Sequence, residues 1–410
     1  MSSYPKFLYT SESVGKGHPD KLCDQIADRI LDTYLSKDPS AKVAVECIVT
    51  QNMVCVFGEV NSGAKINTKA CVVDVIREAG YDNASTGMDY RTALVIENIA
   101  AQSDDIRSAV EKTELNGSLL DSYDKIGAGD QGIMFGYATN ETEERIPLTL
   151  LLANRIVEEI ENLRKTYEFI KSDCKSQVTI EYENRNNELV PLRIDNVVLS
   201  VQHDVDLQRW TDVMSGCVYD TSECSSGTEQ PFELFRKFLH KKICAILPED
   251  LARSTKYHIL PSGKFVIGGP KGDSGLTGRK TIVDTYGGFG LHGGGSFSGK
   301  DWTKVDRSGA YAARWIAKSL VDNNICKRAL VQISYAIGMV SPVSCYVDTY
   351  GTGVIDNEKI IEIINGNFDL RPKAICAALG LDKPIYSGLS VYGHFGKKGY
   401  KWEESKDLKF

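Results

Sequence analysis

The sequence has no apolar run long enough to cross a membrane. No stretch of about 18 consecutive apolar residues, the usual minimum for a spanning helix, occurs in it. The first residues, Met1–Lys6, are polar and no apolar segment follows them, so a signal peptide is not expected either. We therefore expect no membrane partner.

Cysteine pairs of the metal-binding or redox kind are also missing. The chain has 11 cysteines, an odd number, and none of them forms a C-x-x-C pair. Cys47, Cys55 and Cys71 are predicted to be small core side chains. Because disulfide scaffolds belong to oxidising compartments, this cysteine usage favours a reducing one, and we expect the protein in the cytoplasm.

Positive charge is not in excess. The net charge of −7 gives no general attraction for nucleic acid, so we expect no nucleic-acid partner. With 410 residues, of which 42% are apolar and 9% aromatic, the chain can bury a large core in two or three domains. A local group of cations is then better explained as a binding site than as part of a basic face.

Glycine, by contrast, is concentrated in the stretch from Pro261 to Arg307. This stretch holds more than a third of the chain's 36 glycines. Glycine lets backbone N–H groups approach a ligand closely, and fixed cations beside such loops suit a polyphosphate. A flexible linker is the alternative, but the strand-like pairs Val266–Ile267 and Ile282–Val283 predict core contacts that a linker does not need. Phosphate binding is therefore favoured, by the cations Lys264, Lys271, Arg279, Lys280, Lys300, Lys304 and Arg307.

Two nucleotide-binding motifs are nearly spelled out in this stretch, and neither fits. Gly288–Gly293 matches G-x-G-x-x-G after the strand-like Thr281–Tyr286, but further glycines follow where a dinucleotide-binding fold begins a helix. Gly294–Lys300 matches G-x-x-x-x-G-K, but Asp301 stands where a P-loop needs Ser or Thr. The combination of backbone amides and a lysine still suits phosphate.

An amphipathic helix is predicted to begin at Pro19. Leu22 and Ile26 start an apolar stripe with a spacing of four residues. Proline suits the first helical position, which makes His18 the cap and places Asp20 in the first turn. An ordinary capped helix explains Pro19 and Asp20. Because helix N-termini also bind anions, a functional role for His18 remains equally open.

A strand–strand–helix unit recurs three times along the chain. We predict an α/β protein of the α+β type, with mostly antiparallel sheets and helices packed on one face. Its three similar subdomains, in a pseudo-threefold arrangement, are 1–116, 117–267 and 268–410. The units are Val43–Thr50, Met53–Val60 and a helix capped by Asn67; Gln177–Tyr182, Leu189–Gln202 and a helix near Phe232–Leu247; and Ala329–Ile337, Val343–Tyr350 and Glu358–Ile364.

Some polar residues stand out from this pattern. Glu46 and Glu59 interrupt the first two strands, and exposure to solvent is the simplest explanation for both. The polar residues from Gln102 to Ser118 predict a mobile loop. The glycines from 127 to 132 predict a tight turn that presents Asp130.

Four glycine-rich signatures resemble those of the S-adenosylmethionine synthetases, also called methionine adenosyltransferases. They are GHPDK (17–21), GAGDQG (127–132), GGPKGDSGLTGRK (268–280) and GGGSFSGKDWTKVDR (293–307). The resemblance extends in order from about Thr10 to Trp402, so chance agreement is far less expected than for one short motif.

The resemblance implies a transferase reaction. The sulfur of L-methionine attacks C5′ of ATP to give S-adenosylmethionine and tripolyphosphate, which the same site hydrolyses to pyrophosphate and phosphate. A thioether is a competent nucleophile without a base, so catalysis should rest on positioning and on stabilising the leaving tripolyphosphate. The family further implies two Mg²⁺ ions per site, K⁺, and a homo-oligomer, either a dimer or a dimer of dimers, with active sites at the subunit interface.

The resemblance also assigns site residues by matching position. The implied catalytic residues, which also bind ATP, are His18, Lys175, Arg279, Lys280, Lys300 and Lys304, and the further ATP-binding residues are Asp173, Ser262, Phe265 and Asp273. The implied methionine-binding residues are Glu59, Gln102, Asp130, Asp273 and Lys304. The implied metal ligands are Asp20 and Asp306 for Mg²⁺ and Glu46 for K⁺. For Glu46 and Glu59 the interpretation as solvent-exposed residues is replaced by these roles, and only the resemblance supports the replacement.

The chain departs from the family pattern at a few positions. Gly15–Lys16 stands where the family carries an acid before GHPDK, Ser172 where it commonly has proline, and Ser296 where it has alanine. None of these changes removes a predicted ligand, although Lys16 changes the charge near the phosphate site.

Two alternative functions remain open at this point. An ATP-using enzyme that adenylates a carboxylate would break a bond at the α-phosphorus and release pyrophosphate directly. A non-catalytic subunit would only bind nucleotide or a partner, but it would not need Asp20 and Asp306 together with so many cations.

Overall fold

A computed structural model of the chain describes residues 4–85, 87–102, 121–219 and 230–409. Apart from Gln102, the predicted loop from Gln102 to Ser118 lies outside these ranges. The strands are β1 (Lys6–Val14), β2 (Lys42–Thr50), β3 (Met53–Asn61), β4 (Leu94–Ala101), β5 (Gly132–Thr139), β6 (Ile170–Arg185), β7 (Glu188–His203), β8 (Lys256–Ile259), β9 (Gly275–Leu276), β10 (Arg328–Tyr335) and β11 (Ser344–Asp348).

The longer helices are α1 (Pro19–Lys37), α2 (Thr68–Glu78), α3 (Leu148–Thr166), α4 (Thr211–Val218), α5 (Pro231–Cys244), α6 (Val305–Asp322), α7 (Asn357–Asn367) and α8 (Pro372–Leu379). Short helical turns cover Leu207–Trp210, Glu249–Ala252, Gly269–Gly272, Thr281–Asp284 and Lys401–Glu403. None of the helices in the described ranges is both long enough and apolar enough to span a bilayer.

The strands form three sheets, with the orders β1–β6–β7–β8, β11–β10–β5 and β4–β3–β2–β9. Neighbouring strands are antiparallel except in the pairs β3–β4 and β7–β8. The predicted α+β class with mostly antiparallel sheets is therefore confirmed. Each sheet also contains a strand from a distant part of the chain, because β1 joins β6, β5 joins β10 and β9 joins β2. The subdomain boundaries at 116/117 and 267/268 stay predictions.

Helices cover the sheets and enclose the apolar cores. Helix α1 packs on β2, α3 packs on β1 and β6, and α6 packs on β5 and β10. One core lies among α3, α5, β6 and β7. A second, continuous core runs beneath α1 and α6 and joins the other two sheets.

The start of α1 follows the prediction from sequence. Pro19 is its first residue, and the Nδ1 atom of His18 accepts a hydrogen bond of 3.2 Å from the backbone N–H of Asp20. Leu22 and Ile26 are fully buried, as the apolar spacing predicted. The cap and the stripe together fix where α1 begins and which face it turns to the core.

Two strand predictions in the glycine-rich stretch are wrong. Thr281–Asp284 forms one helical turn, closed by a 2.8 Å bond from the N–H of Asp284 to the oxygen of Lys280, and Val266–Ile267 lies in irregular structure. Two β-branched residues are too short a run to fix the backbone against such local bonds. The dismissal of the dinucleotide motif is confirmed, since the next described helix after Gly293 begins only at Val305.

Candidate functional site

The predicted site residues fall mainly into two clusters in the single chain. The first cluster consists of His18, Asp20, Asp173, Lys175, Arg279 and Lys280. The second cluster consists of Asp130, Lys300, Lys304 and Asp306, together with Asp301, which was not predicted to be a site residue. Within the described ranges, no hydrogen bond or ion pair joins a residue of the first cluster to one of the second.

Asp20 holds the first cluster together. Its Oδ2 atom lies 2.5 Å from Nζ of Lys280, and Nε of Arg279 is 3.6 Å from Oδ1. The backbone N–H of Leu276 in β9 donates a 3.0 Å bond to Oδ1. Burial alone would raise the pKa of Asp20, but the bonds from Lys280 and Leu276 outweigh it and lower the pKa. Asp20 is therefore an ionised carboxylate with two cations beside it.

His18 is neutral at physiological pH in this setting. Burial, followed by the nearby charge of Lys280, lowers its pKa to about 4. Because Nδ1 accepts the capping bond from Asp20, the single ring proton belongs on Nε2. The imidazole can then donate one hydrogen bond to an anionic ligand without carrying charge.

Asp173 and Lys175 approach this cluster from β6. Asp173 accepts a 2.8 Å bond from the N–H of Gly269, and burial raises its pKa to about 6. Lys175 Nζ lies 2.9 Å from Glu12 Oε2 in β1, a partner that the sequence analysis did not identify. Glu12 and Lys175 are neighbours because β1 pairs with β6. This pairing joins distant parts of the chain, so it could not be derived from local sequence.

A close backbone contact brings the glycine-rich segment to the start of α1. A Cβ atom on Gly275 would lie 2.2 Å from the carbonyl carbon and oxygen of Pro19, which leaves room only for glycine. Strand β9 therefore passes directly beside the start of α1, and Arg279 and Lys280 follow a few residues later. This contact explains how residues far apart in sequence share one cluster.

The second cluster is built on the loop before α6. Lys300 Nζ is 2.7 Å from Asp306 Oδ2, and Lys304 Nζ is 2.6 Å from Asp301 Oδ2. Asp301, which stands where a P-loop has Ser or Thr, is fully buried and accepts a 2.7 Å bond from the N–H of Val43. Its role is thus to fix this loop to β2.

The turn at residues 127–132 packs against the same loop. The N–H of Gly129 donates a 3.1 Å bond to the oxygen of Thr303, next to Lys304. Asp130 is exposed and accepts a 2.7 Å bond from the N–H of Gln131. The bend at Gly129 and Asp130 therefore presents Asp130 beside the loop of the second cluster.

The remaining predicted residues lie nearby or on the surface. Phe265 is half-buried, and its backbone N–H donates a 3.0 Å bond to Nε2 of His203. Asp273 is exposed and acts on the pKa values of His18 and Asp173 through its charge. Ser262, Glu46 and Glu59 are exposed, and Gln102 at the end of β4 is partly exposed. Within the part of the chain that the structure describes, no hydrogen bond or ion pair joins any of these last four residues to either cluster.

Comparison with protein families gives three matches that together cover most of the chain. Residues 6–104 match the N-terminal domain of S-adenosylmethionine synthetase, residues 125–265 match its central domain, and residues 267–404 match its C-terminal domain.

Similar full-length proteins carry a consistent name. The S-adenosylmethionine synthase of Clostridium acetobutylicum is 48% identical over 404 residues, which cover 97% of this chain and 96% of that protein. The S-adenosylmethionine synthase of Clostridium tetani is 46% identical, with 98% and 97% covered. The S-adenosylmethionine synthase of Petrotoga mobilis is 45% identical, with 98% of both chains covered.

Proposed function

The chain belongs to the S-adenosylmethionine synthetase family, and on that premise we propose how its two clusters carry out the reaction. The activity is that of a methionine adenosyltransferase, which makes S-adenosylmethionine from ATP and L-methionine and then hydrolyses the tripolyphosphate. The observation that carries the proposal is the concentration of cations and ionised carboxylates on glycine-rich loops, without any paired nucleophile and base, among the described site residues.

The first cluster is proposed to bind the triphosphate of ATP. Arg279, Lys280 and Lys175 offer positive charge, and neutral His18 offers one Nε2–H donor at the bond that breaks. Each cation about 4 Å from a phosphate oxygen contributes ~4 kcal/mol at an effective dielectric of 20, before its desolvation is subtracted. The cations favour the transition state because negative charge grows on the leaving oxygen.

The adenosine part of ATP and the polar groups of methionine are assigned to residues in and around the two clusters. Asp173, Ser262, Phe265 and Asp273 are proposed to contact the adenosine part of ATP. Lys300 and Lys304 add positive charge from the second cluster. Asp130 of that cluster is proposed to bind the polar groups of methionine together with Glu59 and Gln102, which lie outside it. The exposed position of Asp130 beside Thr303 supports this assignment.

The carboxylates of Asp20 and Asp306 suit magnesium. Mg²⁺ is commonly held by one or two carboxylates together with substrate phosphates, so it does not need a larger protein cage. Each carboxylate lies beside a lysine ammonium, at 2.5 Å for Asp20 and Lys280 and at 2.7 Å for Asp306 and Lys300. A phosphate group could therefore contact the ammonium while a metal ion bound the neighbouring carboxylate. Two Mg²⁺ ions bound there would neutralise phosphate charge. A single exposed carboxylate, Glu46, is the proposed K⁺ ligand.

A second copy of the chain is the proposed source of a complete site. The outer face of the sheet containing β4 exposes apolar side chains, with Leu94 57% exposed and Ile96 42% exposed, and Glu46 and Glu59 are exposed in the neighbouring strands. Exposed apolar patches commonly mark protein interfaces. A homodimer, alone or paired into a tetramer, would join the first cluster of one copy to the second cluster of the other. The cytoplasmic location also stays a prediction.

The experiment that tests the reaction uses ATP labelled separately in adenosine and in the γ-phosphate. Purified protein is incubated with it, L-methionine, Mg²⁺ and K⁺, and the products are separated. We expect labelled adenosyl sulfonium, with pyrophosphate and phosphate, only when methionine is present. Labelled AMP with direct release of pyrophosphate would instead indicate adenylation, and hydrolysis indifferent to methionine would contradict the proposal.

A further inference from the structure

Helix α1 carries three charged side chains that are fully buried and were not assigned to the site. Lys21, Asp24 and Asp28 each have no exposed surface. Buried charges are stable only when they are paired and hydrogen-bonded, so their partners indicate what these residues do. All three have partners in the loops that carry the two clusters.

Asp24 and Lys21 tie both ends of the turn that carries Arg279 and Lys280. At its start, the backbone N–H of Gly278 donates a 2.9 Å bond to Oδ1 of Asp24. At its end, Asp284 forms an ion pair with Lys21, which is also 3.0 Å from Oδ2 of Asp24. One buried triad, Lys21–Asp24–Asp284, therefore holds the turn from two sides.

The loop of the second cluster is held in the same way. The N–H of Gly299 donates a 2.9 Å bond to Oδ1 of Asp28, and the guanidinium of Arg307 binds both oxygens of Asp28 at 2.6 and 2.9 Å. Lys300 lies between these two anchors, as do Lys304 and Asp306. The arrangement thus recurs in both clusters, with α1 as the shared support.

We propose that the triad Lys21–Asp24–Asp284 is a positioning device for Arg279 and Lys280, and that Lys21 does not itself touch phosphate. This inference rests on the proposed function of the first cluster. Gly278 has a φ of +77°, in the region open chiefly to glycine, so the turn gains little rigidity from its own sequence. The buried anchors supply that rigidity.

Stability alone does not account for the triad. A buried ion pair is often no more stabilising than well-packed apolar side chains of the same volume, because its charges must be removed from water. A positional role does account for it, since small displacements of a phosphate-binding cation lower affinity and rate strongly. The triad also keeps the ammonium of Lys21 away from solvent, which fits an anchor and not a ligand.

The test measures binding of inorganic tripolyphosphate with Mg²⁺ by titration calorimetry, and thermal unfolding of the same samples. Asp24→Ala should weaken tripolyphosphate binding at least about tenfold in folded protein. Asp24→Asn keeps an oxygen acceptor for Gly278 and should lose less. The matched control is Asp32→Ala on the same helix, which loses bonds of 2.9 and 2.7 Å from Tyr386 and Ser387 and should leave tripolyphosphate affinity unchanged.

The outcomes separate this inference from the proposed function. Failure of the unsubstituted protein to bind tripolyphosphate would overturn both. Normal binding by the unsubstituted protein and by folded Asp24→Ala would overturn the positioning role alone. If Asp24→Ala does not fold, Asp284→Asn replaces it, because it breaks the ion pair with Lys21 at the other end of the turn. Its expected result is again weaker binding, and unchanged affinity would overturn the inference.

Discussion

Lys280 is the side chain that most directly couples a proposed metal ligand to the proposed phosphate site. Its ammonium is only partly exposed and lies 2.5 Å from the carboxylate of Asp20. The next described cation, the guanidinium of Arg279, is 3.6 Å from that carboxylate. We predict that Lys280→Met lowers kcat/KM for ATP by about a hundredfold or more, because charge on the leaving group loses a fixed partner. Steady-state kinetics with each substrate varied separately checks this, and KM for methionine should change much less.

Lys271 provides a matched control for that substitution. It lies in the same glycine-rich stretch, but its ammonium donates a 2.7 Å bond to the backbone oxygen of Ser85 and forms no ion pair with Asp20 among the described residues. Lys271→Met should leave kcat/KM for ATP within about twofold, as expected of a surface change outside the site. Equal losses of kcat/KM for ATP in the two variants would contradict a specific role of Lys280 in the first cluster.

Glu141 gives a prediction about pH. Its Oε1 atom is buried without a partner, although the residue as a whole keeps some exposure, and Oε2 accepts a 2.9 Å bond from the hydroxyl of Tyr182. Burial raises its pKa to about 7. The folded protein therefore keeps a proton that the unfolded chain loses between about pH 4 and pH 7, so this carboxyl reduces stability as pH rises through that window.

We predict that Glu141→Gln is more stable than the unsubstituted protein above pH 7, by on the order of 1–3 kcal/mol, with a smaller difference near pH 5. The neutral amide keeps an acceptor for Tyr182 and never needs to be buried as a charge. Urea unfolding at several pH values measures the difference. Glu143→Gln, at an exposed neighbour, is the control, and parallel pH curves for Glu141→Gln and the unsubstituted protein would contradict the prediction.

Among the elements, the contact between β9 and α1 leads to a separate prediction. A methyl group on Gly275 would lie 2.2 Å from backbone atoms of Pro19, which cannot move aside like a flexible side chain. Gly275→Ala should therefore lower the free energy of unfolding by about 1–3 kcal/mol and reduce ATP turnover in the folded fraction. Gly63→Ala has nothing within 4 Å of the added carbon and should change stability by less than about 0.5 kcal/mol.

Chemical denaturation and turnover assays on both glycine variants measure these effects. Unchanged stability in Gly275→Ala would mean that β9 can separate from α1 at little cost. In that case the close approach would not be what brings Arg279 and Lys280 to Asp20.

Elements were predictable from sequence where their causes are local. The start of α1 follows from Pro19 and from the cap at His18, and the strands β2 and β3 follow from alternation around one turn. The pairing of Asp24 with Gly278 joins residues 254 positions apart, so no local pattern contains it. The acids of α1 at a spacing of four were visible in sequence, but only the fold shows that they bind loop amides.

At the scale of the whole molecule, the exchange of strands among the sheets could not be predicted. The sequence analysis predicted no strand at β1, β5 or β9, and periodicity carries no information about which distant strand each one joins. The candidate residues came from the family resemblance, and the structure adds their grouping. Asp20 and Lys280 belong to one cluster, whereas Lys304 belongs to the other.

This grouping determines which inactive variants should complement each other. If one copy supplies the first cluster of a site and its partner supplies the second, Asp20→Asn and Lys304→Ala damage different halves. A mixed dimer of these two variants then contains one intact site. A mixed dimer of Asp20→Asn and Lys280→Ala contains none, because both variants damage the first cluster.

The most direct test is to mix the two inactive proteins under conditions of proven subunit exchange and to measure S-adenosylmethionine formation. For Asp20→Asn with Lys304→Ala we predict recovery of about a quarter of the unsubstituted activity, since half of the dimers are mixed and each has one intact site. Asp20→Asn with Lys280→Ala should recover none. No recovery in the first mixture, or equal recovery in both, would contradict an active site assembled from the two clusters of different copies.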